Sequence, residues 1–133
     1  MRISAVVRNA SSRHEVTVST AGSEQSLTVS AKRSGQGSSV NGGEFLMLAL
    51  ATCYCNDIYR EAARLGLSVE SVEVEAAADF PGVGLAATNI TYRAKVSSAA
   101  SAAEIAELLR VTDAVAEVHN TIRSGASVTL EQA

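Results

Sequence analysis

The stretch from residue 42 to residue 65, GGEFLMLALATCYCNDIYREAARL, constrains the fold more than any other part of the sequence. Residues 45–55 are apolar almost all round, with Thr52 as the clear exception, and a helix of this composition is buried on every side. A polar face follows, formed by Asp57, Arg60, Glu61 and Arg64. Gly66 then stands where helices commonly end. We therefore expect a long central helix, roughly 33 Å in length, that is buried first and reaches the surface later.

Composition limits the class of protein. The 133 residues fit a single domain, residues 1–133, and 47% of them are apolar, which is typical of a globular chain. A net charge of −3 argues against a nucleic-acid partner, because such proteins carry a basic surface. Residues 1–8 lack the apolar stretch of a signal peptide, and residues 45–55 are too few to span a bilayer. We expect a soluble cytoplasmic protein with neither a nucleic-acid nor a membrane partner.

Three strands are predicted before the helix: residues 2–8, 13–20 and 25–31. The second and third alternate apolar with polar residues, as half-buried strands do. Gly22 and Ser23 between them suit a two-residue hairpin loop. The facing pairs would then be Val18 with Leu27 and Val16 with Val29.

A second hairpin is predicted after the helix, from strands at residues 68–77 and 88–97. A turn centred near Gly84 sets two opposite-charge pairs across these strands: Glu75 with Arg93 and Glu73 with Lys95. Exposed pairs of this kind add only about a few tenths of a kcal/mol each, but they favour one register.

The last part of the chain predicts a helix and a strand. Ser101 and Glu104 form a capping-box pattern that opens a helix towards Ile122. The apolar stripe of this helix changes face within residues 111–118, so a break is expected there. A final strand at residues 126–131 carries Val128 and Leu130. The predicted order is β-β-β-α-β-β-α-β, an α+β fold with sheets wrapped around the long buried helix.

The two cysteines, Cys53 and Cys55, lie in the apolar half of the central helix. Side chains at i and i+2 of a helix point about 200° apart, so these two cannot form a disulfide within one helix. His14 and His119 stand at no recognised metal-ligand spacing from the cysteines, and we expect neither a metal nor a cofactor.

Two interpretations of Cys53 follow from the residues alone. A cysteine inside an apolar helix commonly packs as a small hydrophobic residue. A nucleophilic cysteine needs its thiolate, which a nearby cation would favour. The candidate cations are Arg8, Arg13 and Arg33, of which Arg13 is taken forward as the thiolate stabiliser.

A family resemblance favours the second interpretation. Residues 44–53, EFLMLALATC, resemble the E-L-L-L-A-A-L-A-A-C helix of the OsmC/Ohr family, the osmotically inducible and organic hydroperoxide resistance proteins. Residues 65–67, LGL, followed by a Val-rich strand, also fit that family. Residues 116–122, AEVHNTI, are similar to its C-P-V-x-x-T-L stretch.

The resemblance implies an intertwined homodimer with two long helices at its centre and sites where the subunits meet. In peroxidase members, a thiolate attacks the distal oxygen of an organic hydroperoxide and becomes a sulfenic acid, which a second cysteine resolves. Cys53 matches the peroxidatic position. The residues implied to line the pocket for a small apolar hydroperoxide are Glu44, Leu48, Thr52 and Ala116.

Two departures from the family pattern affect this chemistry. The resolving cysteine is replaced by Ala116, so an external thiol would have to reduce the sulfenic acid. The peroxidase glutamate is replaced by Gly43. One interpretation of the neighbouring Glu44 is that it only favours the start of the helix. Cys55 is a possible second thiol, which could reach the partner subunit only across a dimer axis.

His119 has two open interpretations. In a continuous last helix it would lie beside Ala116 and near Cys53, as a base or an orienting group. Otherwise it is capped by a backbone carbonyl or exposed at the break.

Three functions therefore remain open at the level of sequence. The first is a one-cysteine-type reductase of organic hydroperoxides or related electrophiles, with Cys53 as the nucleophile. The second is a non-catalytic dimer that binds a small apolar ligand. The third is a purely structural dimer.

Overall fold

The order of the elements follows the sequence prediction up to the final strand. The computed structural model describes residues 1–132. The elements are β1 (Ile3–Ala10), β2 (Arg13–Thr20), β3 (Ser23–Leu27), α1 (Gly42–Arg64), β4 (Ser71–Asp79), β5 (Thr88–Ser97), α2 (Ala102–Val115) and α3 (Glu117–Arg123). The predicted α+β class is confirmed. Contacts divide the chain into two compact units, Met1–Phe45 and Leu46–Ala133.

The first unit contains an antiparallel sheet in the order β1-β2-β3. The predicted register between β2 and β3 is wrong by two residues, since Val16 faces Leu27 and Val18 faces Gln25. The loop is Ala21-Gly22, with φ of 50° and 84°. Positive φ at both central positions is the geometry of a type I′ turn, which matches the twist of the flanking strands. β3 ends at Leu27, so Val29 pairs with no residue of β2.

The second unit contains the antiparallel hairpin of β4 and β5. Its predicted register is confirmed, because Glu73 faces Lys95 and Glu75 faces Arg93. The Arg93 guanidinium lies 2.6 Å from the Glu75 carboxylate, but both side chains are exposed, so the pair adds little stability.

Local signals determine both ends of α1. Asn41 accepts from the backbone N–H of Glu44 at 2.8 Å, and the Glu44 carboxylate accepts from the backbone N–H of Asn41 at 3.1 Å, which is a reciprocal helix cap. At the other end Gly66 has φ of 71°. The N–H groups of Gly66 and Leu67 donate to the carbonyls of Ala63 and Ala62, a Schellman motif.

The buried positions of α1 lie further along the helix than the apolar run suggests. They are Leu50, Tyr54, Asp57, Ile58, Glu61 and Ala62. In the apolar half, Leu48 is 57% exposed and Thr52 is also exposed. The cost of burying Asp57 and Glu61 is offset in each case by an arginine three residues on, at 2.9 Å for Arg60 and 2.5 Å for Arg64.

The predicted break in the last helix is confirmed. Ser101 and Glu104 form the capping box that begins α2. Ala116 is extended, with φ of −72° and ψ of 103°, and it separates α2 from α3. Across residues 1–132, none of the helices is both long enough and apolar enough to cross a membrane.

The core of the second unit joins α1, α2 and the β4–β5 hairpin. Its buried residues are Tyr54, Ile58, Ala62, Leu108 and Ala116. One face of the hairpin packs against them through Val72, Val74, Tyr92, Ala94 and Val96. The hydroxyl of Tyr54 donates to the carbonyl of Leu109 at 2.7 Å, which joins α1 to α2.

The predicted final strand at residues 126–131 is wrong, because this segment has no regular structure. Val128 is 99% exposed and Leu130 is 97% exposed. The alternation of apolar residues has no neighbouring strand to bond with among the described residues, and a single strand cannot satisfy its own backbone groups.

We expect Leu108→Ala to lower the free energy of unfolding by about 3 kcal/mol, because it leaves a cavity in the fully buried centre of the second unit. Urea denaturation followed by circular dichroism measures this loss. The matched control is Leu85→Ala, a change at a side chain that is 62% exposed, for which a loss below about 0.5 kcal/mol is expected. Equal losses in the two variants would contradict the assigned core.

Candidate functional site

Cys53 lies in the middle of α1, partly exposed, at the edge of the core of the second unit. Its thiol donates to Oδ2 of Asp57, with the sulfur and oxygen 3.7 Å apart. The backbone N–H of Val118 in α3 acts on the same sulfur and lowers the pKa of the thiol. Two elements thus position the sulfur: one further turn of its own helix, and the segment just after the break at Ala116.

Asp57 is the most enclosed charged group of this site, with 5% of its surface exposed. Nη1 of Arg60 lies 2.9 Å from its Oδ1, the oxygen that the thiol does not contact. Burial raises the pKa of the Asp57 carboxyl, the Arg60 cation lowers it, and the Glu117 carboxylate raises it. The balance is a raised pKa, so this carboxylate is a stronger base than an exposed one.

Glu117, the first residue of α3, is the third residue of the site. Its side chain is exposed, and Oε1 lies 4.0 Å from Nη1 of Arg60. The ligand atoms of Cys53, Asp57 and Glu117 all lie within 4.8 Å of one another. The set is one sulfur and two carboxylate oxygens, and acidic groups commonly lie this close together without a metal ion. The Arg60 guanidinium already balances part of this negative charge.

The charges around Cys53 disfavour its thiolate. Burial raises the pKa of the thiol most, and the Asp57 and Glu117 carboxylates raise it further. The Val118 N–H acts in the opposite direction but does not outweigh them. Cys53 is therefore a neutral thiol at neutral pH, hydrogen-bonded to a base.

The other predicted site residues lie in varied surroundings. Arg13 is exposed on β2 in the first unit and pairs with Glu15. Glu44 caps the start of α1, as one interpretation of the sequence expects. Ala116 is fully buried and carries no sulfur at the resolving position. Leu48 and Thr52 lie on an exposed face of α1, and Cys55 is a free, partly exposed thiol.

His119 is neither exposed nor capped by a carbonyl, so that expectation is wrong. It is 3% exposed, and neither ring nitrogen has a hydrogen-bond partner among the described residues. Its ring centroid lies 4.4 Å from that of Tyr92 and 5.7 Å from that of Tyr54. The break at Ala116 turns the histidine into this aromatic environment.

The surroundings of His119 favour its neutral form. Burial lowers the pKa of the imidazole, and the Arg123 guanidinium lowers it further. The Asp113 and Asp57 carboxylates raise it by less. The ring packs against Tyr54 and Tyr92 and so helps to hold α3 in place.

Sequence reasoning missed Asp57, Arg60 and Glu117 as site residues. The available signal was the i, i+4 spacing of Cys53 and Asp57, which places both on one helix face. The sequence pattern instead places Asp57 and Arg60 on the polar face of the helix. Glu117 could not be placed without knowing where α2 ends.

We expect acid to destabilise the protein partly through His119. The folded-state pKa is depressed, so the unfolded chain binds a proton that the folded chain does not, and stability is lost as pH falls below about 6.5. His119→Phe should lose less stability than the parent between about pH 7 and pH 5. Urea denaturation at several pH values measures this, and parallel curves for the two proteins would contradict it.

Comparison with known proteins identifies the fold. The structure is similar to an OsmC like protein from Mycoplasma pneumoniae, with 19% identity, a TM-score of 0.65, and coverage of 92% of this chain and 86% of that one. It is also similar to an organic hydroperoxide resistance protein OsmC from Legionella pneumophila, with 17% identity, a TM-score of 0.61, and coverage of 92% and 90%. An OsmC-like hydroperoxide resistance protein from Jannaschia sp. CCS1 matches with 15% identity, a TM-score of 0.57, and coverage of 98% and 90%.

Similarity in sequence identifies the family. No curated protein gives a significant match. Residues 35–131 match the model of the family described as OsmC-like protein, which is more than half of the chain. The protein therefore belongs to the OsmC-like protein family.

Proposed function

We propose that this OsmC-like protein reduces organic hydroperoxides or related electrophiles, with Cys53 as the nucleophile. The observation that carries the proposal is the hydrogen bond from the Cys53 thiol to the Asp57 carboxylate, in a site that solvent partly reaches. Cys53 packs against the core, and its thiol also contacts a carboxylate, which packing alone does not require. The similarity to proteins named for hydroperoxide resistance agrees with this chemistry.

The reaction needs an external reductant. The sulfur attacks the distal oxygen of the hydroperoxide, and the O–O bond breaks. The alcohol is released, and Cys53 becomes a sulfenic acid. Ala116 supplies no resolving thiol, so a small or protein dithiol would form a mixed disulfide with Cys53 and then release it. Such thiols are abundant in the reducing cytoplasm, which is the compartment that we infer.

We also propose a homodimer built on α1. One face of α1 carries four residues spaced by four, three and four positions: Leu48, Thr52, Cys55 and Tyr59. Leu48 is 57% exposed and Tyr59 is 44% exposed, which is unusual for large side chains in the longest helix of the chain. A second copy would cover this face.

A second candidate function is the binding of a small apolar molecule without catalysis. The raised pKa of the Cys53 thiol favours it, because it keeps the reactive thiolate scarce. The first unit also contains a cavity of about 410 Å³, within the size range of small-molecule sites. Its mostly apolar lining includes Val7, Val16, Val18, Leu27, Val40 and Phe45.

The first experiment follows the consumption of cumene hydroperoxide in the presence of dithiothreitol. We expect turnover by the parent protein and loss of at least about 100-fold in Cys53→Ser, because the nucleophile is removed. Cys55→Ser is the matched control and should retain most of the activity. Equal rates for Cys53→Ser and the parent protein would reject the enzyme and leave the binding function.

The dimer is tested by light scattering after size exclusion. Leu48→Glu should convert the dimer to a monomer, because it places a charge within the proposed apolar interface. Leu85→Glu changes an exposed leucine outside α1 and should leave the dimer intact. A parent protein that elutes as a monomer at all concentrations would contradict the proposal.

A further inference from the structure

We infer that Asp57 is a catalytic acid–base residue: it accepts the proton of the Cys53 thiol as the sulfur attacks and returns it to the departing alkoxide. This inference rests on the proposed function. It names Asp57 as the group that activates the Cys53 thiol in place of a cation. It assigns to one carboxylate of α1 both proton transfers of a single oxidation step.

The geometry of α1 places base and nucleophile together. Cys53 and Asp57 are one turn apart on the same helix, and Oδ2 accepts from the thiol at 3.7 Å. Both side chains are thus fixed to one rigid element, with no loop between them. Asp57 is 5% exposed, so water competes little for the oxygen that receives the proton.

Arg60 orients the carboxylate without blocking it. Its Nη1 binds Oδ1 at 2.9 Å and leaves Oδ2 to the thiol. The Arg60 side chain is 53% exposed, so its charge is partly screened by water. The Glu117 carboxylate lies 4.0 Å from the same Nη1, so two carboxylates attract the guanidinium to this site.

The surroundings raise the proton affinity of both groups. Burial and Glu117 raise the pKa of Asp57, which makes it a stronger base than an exposed carboxylate. Burial and both carboxylates raise the pKa of Cys53, so the thiol form predominates at neutral pH. Asp57 is the acceptor in hydrogen-bond contact with the thiol, so it is placed to take the proton as the sulfur attacks.

The step balances without a further reactant. The S–H bond breaks as the proton passes to Oδ2 of Asp57, and the sulfur forms a bond to the distal oxygen of the hydroperoxide, which keeps its own hydrogen. The O–O bond breaks, and the alkoxide takes the proton from Asp57 to become an alcohol. Sulfur is oxidised to the sulfenic acid, the peroxide is reduced, and Asp57 is again a carboxylate.

The test compares Asp57→Asn with its parent, both in a Cys55→Ser background so that only Cys53 reacts. The ultraviolet absorbance of the thiolate gives the pKa of Cys53, which should fall in the variant because a negative charge is removed. The rate of sulfenic acid formation with cumene hydroperoxide at neutral pH should nevertheless fall about 100-fold, at the lower end of what positioned proton transfer contributes. An equal or higher rate in Asp57→Asn would overturn the inference.

Glu61→Gln is the matched control. Glu61 is also 5% exposed on α1 and pairs with an arginine three residues on, but it has no thiol partner in the structure. Its loss should change the rate of hydroperoxide reaction less than about twofold, as for a change outside the site. A loss as large as that of Asp57→Asn would show a general effect of the helix and overturn the inference.

Arg60→Gln keeps the test decisive if Asp57→Asn does not fold. The rate of sulfenic acid formation should fall at low pH as Asp57 becomes protonated. In Arg60→Gln this fall should occur at higher pH than in the parent, because the cation that lowers the pKa of Asp57 is removed. A fall at the same pH as in the parent would overturn the inference.

Alkylation by iodoacetamide separates this inference from the proposed function, since it too needs the thiol proton to leave. One outcome is that alkylation of Cys53 depends on Asp57 while cumene hydroperoxide is not consumed. The role of Asp57 as a base would then stand, and the proposed function would be rejected. The opposite outcome is that the hydroperoxide is reduced equally well with and without the Asp57 carboxylate. The proposed function would then stand, and the role of Asp57 as a base would be rejected.

Discussion

The buried face of α1 is the feature on which the second unit depends. It carries apolar residues such as Ile58 together with two carboxylates, Asp57 and Glu61. Burying a carboxylate is costly unless a cation and hydrogen bonds compensate for the lost water. Arg60 and Arg64 supply that compensation while more than half of each side chain stays exposed. The helix can therefore pack against the core and still keep charge beside it.

This arrangement joins packing to chemistry. Cys53 precedes Asp57 by one turn, so the carboxylate that Arg60 compensates at one oxygen is available to the thiol at the other. The surroundings favour a neutral thiol, whereas the sequence led us to expect a thiolate stabilised by an arginine. The reactivity of such a site depends on where the proton goes rather than on how much thiolate is present at rest.

Much of the fold was predictable because its signals are local. The capping box at Ser101, the stop at Gly66 and the charge pairs of β4 and β5 each involve residues close in sequence or opposed in one hairpin. The β2–β3 register was not predictable from alternation alone, since the same pattern suits two loops and only the positive φ of Ala21 and Gly22 selects one. The strand expected at residues 126–131 failed because alternation shows a tendency and supplies no partner.

The sequence by itself determined the α+β class, the length of α1 and the position of Cys53 within it, because periodicity and helix caps act over a few residues. Only the tertiary structure decided what surrounds the sulfur. The extended Ala116 ends α2 and directs α3 so that Val118 and Glu117 reach a cysteine far away in sequence. Packing likewise made Asp57 a buried base rather than a surface charge, since burial depends on elements that meet only after folding.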